Sequence, residues 1–68
     1  MKEIKIDTEF IKLDQLMKYA SMVQTGGEAK MLIAGELVLV NGEIWTQRGK
    51  KIRPGDEVLF DGETYKVK

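Results

Sequence analysis

Two dipeptides in the second half of the chain, Asn41-Gly42 and Asp61-Gly62, restrict the fold more than any other feature. Leu37-Val38-Leu39-Val40 and Glu43-Ile44-Trp45 flank the first; Val58-Leu59-Phe60 and Glu63-Thr64-Tyr65-Lys66-Val67 flank the second. A two-residue hairpin turn that matches strand twist needs positive φ at both central positions, which Asn, Asp and Gly tolerate. The second half therefore reads as two antiparallel hairpins, with Pro54-Gly55 marking another turn between them.

The first half has a different period. Lys2 to Asp7 alternates, with Ile4 and Ile6 on one face, and reads as a short strand. Leu13 to Gln24 reads as a helix, because Leu13, Leu16, Met17, Ala20 and Val23 fall within one stripe about 120° wide. Asp14 stands four residues before Lys18, the favourable order for a helix ion pair. Thr25-Gly26-Gly27 is expected to break this helix. A second helix follows from about Gly27 to Ala34, with Ala29, Leu32 and Ile33 on one face and Gly35 as its stop signal. Helices joined so closely form a helical hairpin or a helix-turn-helix. The order β, α, α, then hairpins predicts a small α+β fold, one domain over residues 1–68. Ile4 and Val67 are candidates for paired terminal strands.

Composition removes whole classes of chemistry. The 68 residues include no Cys, no His and a single Ser. Disulfides, thiolate nucleophiles, imidazole bases and His-ligated metals are excluded. No calcium-loop spacing and no Gly-rich nucleotide motif ending in Lys-Ser or Lys-Thr is present. A non-catalytic chain without cofactor or small-molecule substrate is expected. No apolar run approaches the ~18 residues that span a bilayer, and Met1-Lys2-Glu3-Ile4-Lys5 does not open a signal peptide. The expectation is a cytoplasmic protein with no membrane partner.

The formal net charge is zero, but its distribution is uneven. Gln47 to Arg53 carries Arg48, Lys50, Lys51 and Arg53 with no acid. Such a segment acts locally over a Debye length of about 8 Å. It is either a solvated charged loop or, beside a helical pair, a phosphate-binding surface. Gly26-Gly27 has two readings as well. The pair permits a tight interhelix turn, or it lets a phosphodiester approach the N–H groups opening the second helix. Trp45 stacks on a base or packs over the sheet, and packing is the commoner role; Tyr19 reads the same way. Met17 falls in the core stripe, Met31 points outward and Met22 lies opposite the stripe.

The stretch from Ile11 to Phe60 resembles the RNA-binding domain first described in small-subunit ribosomal protein S-four, the alpha-L motif. The matching pieces are Lys12-Leu13-Asp14-Gln15-Leu16, Thr25-Gly26-Gly27-Glu28-Ala29-Lys30, Ile33-Ala34-Gly35, Val38-Leu39-Val40-Asn41-Gly42 and Pro54-Gly55-Asp56. The resemblance implies two short packed helices against a small, mostly antiparallel sheet of about four to five strands. It also implies that the helices and the following strand bind structured RNA, ribosomal RNA or an assembling ribosome, mainly through the backbone. Carried onto this chain, the RNA-binding candidates are Lys12, Lys18, Thr25, Gly26, Gly27 and Lys30, extended by Gln47, Arg48, Lys50, Lys51 and Arg53. Asn41 is either a contact or a structural turn residue. Many members have Ser-Arg at the interhelix turn where this chain has Thr25-Gly26. Glycines there, and the run Thr46-Gln47-Arg48-Gly49-Lys50-Lys51, look like a subgroup of short, stand-alone bacterial members. Charge has then moved from the turn to the later loop.

The alternative is a protein-binding adaptor that has lost RNA affinity, with Met22, Met31 and Trp45 exposed together as an apolar patch. DNA binding through the helix-turn-helix is a third reading, weakened by a short second helix with few groove-reading side chains.

Overall fold

The apolar stripe of the first helix decides where the core lies. The computed structural model describes all 68 residues. Helix α1 spans Leu13–Tyr19 and buries Leu13, Leu16 and Met17 completely. Helix α2 spans Gly26–Ala34 and buries Ala29 and Ile33. Against them lie Val38, Val40, Ile52, Val58 and Val67, with Val23 from the connection between the helices.

The strands are β1 (Lys2–Ile4), β2 (Ile11–Lys12), β3 (Val38–Val40), β4 (Glu43–Ile44), β5 (Lys51–Ile52), β6 (Glu57–Phe60) and β7 (Glu63–Val67). Five of them form one sheet in the order β1-β7-β6-β3-β4; β2 and β5 form a separate antiparallel pair. The five-strand sheet is antiparallel except at β1, which runs parallel to β7 with Ile4 opposite Val67. The fold is therefore α+β with two packed helices on a mostly antiparallel sheet, as the sequence predicts, and the terminal strands do pair. Both hairpin turns take the expected form: φ is +51° and +85° at Asn41-Gly42, and +54° and +78° at Asp61-Gly62. At Arg53-Pro54-Gly55-Asp56, Gly55 has φ +101° and the Asp56 N–H donates to the Arg53 carbonyl at 3.0 Å. That is the turn type requiring Gly at its third position.

The second helix ends at Ala34 before Gly35 as expected, but the end of the first helix differs. The first helix stops at Tyr19, five residues before Gln24, and Gly26-Gly27 opens the second helix instead of closing the first. The stop is a Schellman motif: Ser21 takes φ +61°, the Met22 N–H donates to the Met17 carbonyl and the Ser21 N–H to that of Lys18. The second helix ends the same way. Glu36, not Gly35, holds the left-handed position at φ +63°, and the Leu37 N–H donates to the Leu32 carbonyl. A Cβ at Gly35 would sit 3.1 Å from the Met31 carbonyl oxygen, a tight contact.

Candidate nucleic-acid interface

The basic segment is tied to the start of α1. Lys51 and Ile52 pair with Lys12 and Ile11 across the β2–β5 ladder. The Leu13 N–H donates to the Lys50 carbonyl at 2.8 Å, and the Asp14 N–H to the Arg48 carbonyl at 3.1 Å. These are among the N–H groups a helix cannot satisfy internally. Lys12 at the N-cap position offers no side-chain cap, so loop carbonyls take that role. The same bonds hold Arg48, Lys50 and Lys51 beside Lys12.

Lys12 and Lys51 are directly opposite each other. The neighbouring Leu13–Lys50 hydrogen bond makes theirs a non-hydrogen-bonded pair, the kind in which side chains come closest. Like charges so placed cost stability. Neither ammonium forms an ion pair with a carboxylate. The ion pairs are Met1 α-amino with Glu63 at 3.8 Å, Lys66 with Glu57 at 3.8 Å, and Lys68 with Glu3 at 3.1 Å. All three lie on β1, β6, β7 and the chain ends. Lys12, Lys18, Lys30, Arg48, Lys50, Lys51 and Arg53 take part in none. Two of these cations rest on rings: Lys50 Nζ is 4.3 Å from the Trp45 centroid, and Lys51 Nζ is 4.9 Å from that of Phe10. A ring attracts a cation through its quadrupole but leaves the net charge in place.

The start of α2 presents a second set. Gly26 and Gly27 both have negative φ. Nothing lies within 4 Å of a Cβ built at Gly26, and at Gly27 the Thr25 Oγ1 is 4.0 Å away. Neither backbone conformation nor crowding demands glycine, which removes the tight-turn reading of the pair. Their N–H groups have no acceptor in the protein. Lys30, four residues after Gly26 and exposed, shares that side of the helix. The Thr25 hydroxyl accepts the Glu28 N–H at 3.1 Å, and Glu28 Oε1 accepts the Gln24 N–H at 3.0 Å. Thr25 is thus the helix cap, and the Glu28 carboxylate in the same turn weakens attraction for an anion.

Local hydrogen bonding bears on the remaining residues. Asn41 Nδ2 donates to Asp56 Oδ1 at 3.1 Å, and its Oδ1 accepts the Glu57 N–H at 2.9 Å. Asp56 Oδ2 accepts the Arg53 N–H at 2.8 Å. Asn41 therefore locks its turn, the structural role that the sequence leaves open beside an RNA contact. The Asp14–Lys18 ion pair does not form, because the Asp14 carboxylate accepts the Gln15 N–H at 2.8 Å. Lys18 is exposed on α1, and Gln47 contributes a carbonyl to the turn ending at Lys50. Tyr19 does not pack as expected: it is 62% exposed and its hydroxyl donates to the Lys5 carbonyl at 3.0 Å. Met22 and Trp45 are half-buried against the core while Met31 is 76% exposed, so the apolar patch postulated for an adaptor does not assemble. Met22 turns inward because the helix has already ended and its helical phase no longer applies.

Residues 4–68 match the S4 domain family. The chain is also similar to "Probable ribosome maturation protein RlbA" of Bacillus subtilis (strain 168), 46% identical over 59 residues, covering 87% of this chain and 83% of that relative. The chain belongs to the S4 domain family.

Two features of this S4 domain are not visible in its sequence. One is the β2–β5 ladder, which turns the supposed loop into a pinned strand. The other is the Asn41–Asp56 bond, which joins the Val-Asn-Gly and Pro-Gly-Asp pieces of the resemblance. Ile52, an isolated apolar residue between Lys51 and Arg53, is the one available sign of the ladder. No helix of this S4 domain is long and apolar enough to cross a membrane.

Proposed function

We propose that the protein is a non-catalytic, cytoplasmic RNA-binding protein, a single S4 domain that grips structured RNA through backbone phosphates. The single observation that carries this reading is the Lys12–Lys51 pair: like charges face each other, without a carboxylate partner, inside a cluster completed by Arg48 and Lys50. A fold under selection for stability alone has little use for that arrangement, whereas a phosphodiester relieves the repulsion. Gly26, Gly27 and Lys30 add a second phosphate contact on α2, with Lys18 and Arg53 at the margins. The similarity to a protein named for ribosome maturation supports ribosomal RNA or an assembling ribosome as the partner.

The test is a salt titration of RNA binding. Replacing Lys12, Lys50 and Lys51 by Gln together is expected to weaken binding and reduce the log–log salt slope by about 0.7 to 0.9 for each phosphate no longer neutralised. An unchanged slope would move the interface elsewhere. Crosslinking in cells with sequencing of the attached RNA identifies the partner. Association with ribosomal particles that survives ribonuclease treatment would favour the adaptor reading instead.

A further inference from the structure

Trp45 is held by the fold but only loosely covered by charge. Its N–H donates to the Val38 carbonyl at 3.2 Å, and the residue packs half-buried against the core. Over its ring sits the Lys50 ammonium, 4.3 Å from the centroid. The Lys50 main chain is fixed at both ends, its N–H donating to the Gln47 carbonyl and its carbonyl accepting the Leu13 N–H. The Lys50 side chain is in no ion pair, so nothing acidic holds the ammonium where it lies. The backbone is therefore pinned, while the half-buried side chain lies over the ring without an acidic partner.

We propose that the indole face under Lys50 is a seat for one unpaired nucleobase of the bound RNA. This rests on the RNA-binding reading and narrows it to an RNA with a bulge, loop or unpaired end beside a backbone contact. Bases inside a duplex already stack on their neighbours, so their faces are unoccupied only when a base is extruded. Stacking covers the ring face that a single ammonium only touches, and the displaced ammonium gains a phosphate partner, so the base takes the place of Lys50. The released Lys50 then joins Lys51, its chain neighbour, and Lys12 in contacting phosphate. Trp45 reads the presence of an unpaired base with little preference among bases, since every base has a π-face.

Trp45 is the one tryptophan, so its emission reports on the seat directly in the unaltered protein. The probes are a blunt RNA duplex, the same duplex with one bulged adenosine, and that duplex with an abasic site at the bulge. The bulged duplex is expected to quench Trp45 emission and to bind about ten-fold more tightly than the other two. Trp45→Phe should keep most of that preference. Trp45→Leu, checked by thermal melting, should lose it without changing the salt slope on the blunt duplex. Equal affinity for all three probes with unchanged emission would overturn the seat and leave the RNA-binding reading standing. Absence of salt-dependent binding to any probe would remove that reading, and the seat with it.

Discussion

Lys12 and Lys51 set stability against function at a single ladder position. Changing Lys12 to Glu converts a repulsive cross-strand pair into an attractive one, so the variant should be more stable by about 0.2 to 1 kcal/mol in thermal unfolding. The same variant should bind RNA more weakly and with a shallower salt slope, by about 0.7 to 0.9. A change of the same sign in both measurements would contradict the assignment of this pair. Gly26 and Gly27 make the same kind of comparison on α2. Alanine fits at both without crowding, and each replacement should stabilise by about 0.4 to 1 kcal/mol in thermal or urea unfolding. Methyl groups there would also hold a phosphate away from the free N–H groups, so the double variant should lose affinity. At this scale the sequence is informative about chemistry but not about partners. Arg48, Lys50, Lys51 and Arg53 are visible as an acid-free run, yet their lack of ion pairs is a matter of three-dimensional distance. Asn41 illustrates the converse. Its turn conformation is legible, while its bonds to residues 15 and 16 positions away are not.

At the scale of elements, chain reversals legible in sequence are those whose residue types are themselves the cause. Asn41-Gly42 and Asp61-Gly62 fold as read because positive φ is cheapest for those residues. The end of the first helix is misread because Ser21 occupies the left-handed position that glycine normally takes, as Glu36 does after the second. That placement carries a testable strain. Glu36→Gly relieves about 1 to 2 kcal/mol of left-handed cost and loses about 0.4 to 1 kcal/mol to unfolded-chain entropy. A net gain of about 0.8 kcal/mol in unfolding free energy is expected from the midpoints of those two figures. The β2–β5 ladder is illegible for a different reason: two residues per strand cannot display a period. The Asn41–Asp56 lock is the element-level feature with the largest expected cost of removal. Asn41→Ala forfeits two side-chain hydrogen bonds and puts a residue with no local polar compensation at φ +51°. About 2 kcal/mol of destabilisation is expected, measurable by urea unfolding.

For the whole molecule, the order β1-β7-β6-β3-β4 places the last strand of the chain in the interior of the sheet. Val67 is fully buried and Tyr65 nearly so, and β1 is joined to the sheet only through β7. Deleting Tyr65 to Lys68 should therefore abolish cooperative unfolding, seen as loss of a sigmoidal denaturation curve, instead of merely fraying an end. A domain of this size has little stability to spare. The ion pairs gather on β1, β6, β7 and the termini, so a molecule of zero net charge still presents a region whose cations are free of ion pairs. The hydrogen bonds from Leu13 and Asp14 to the carbonyls of Lys50 and Arg48 have one more consequence. They order the backbone carrying those cations as part of folding, before any ligand arrives. Association then forgoes the loop-ordering penalty that a mobile basic tail incurs, and RNA meets a preorganised grip whose fit depends on shape as well as on opposite charge.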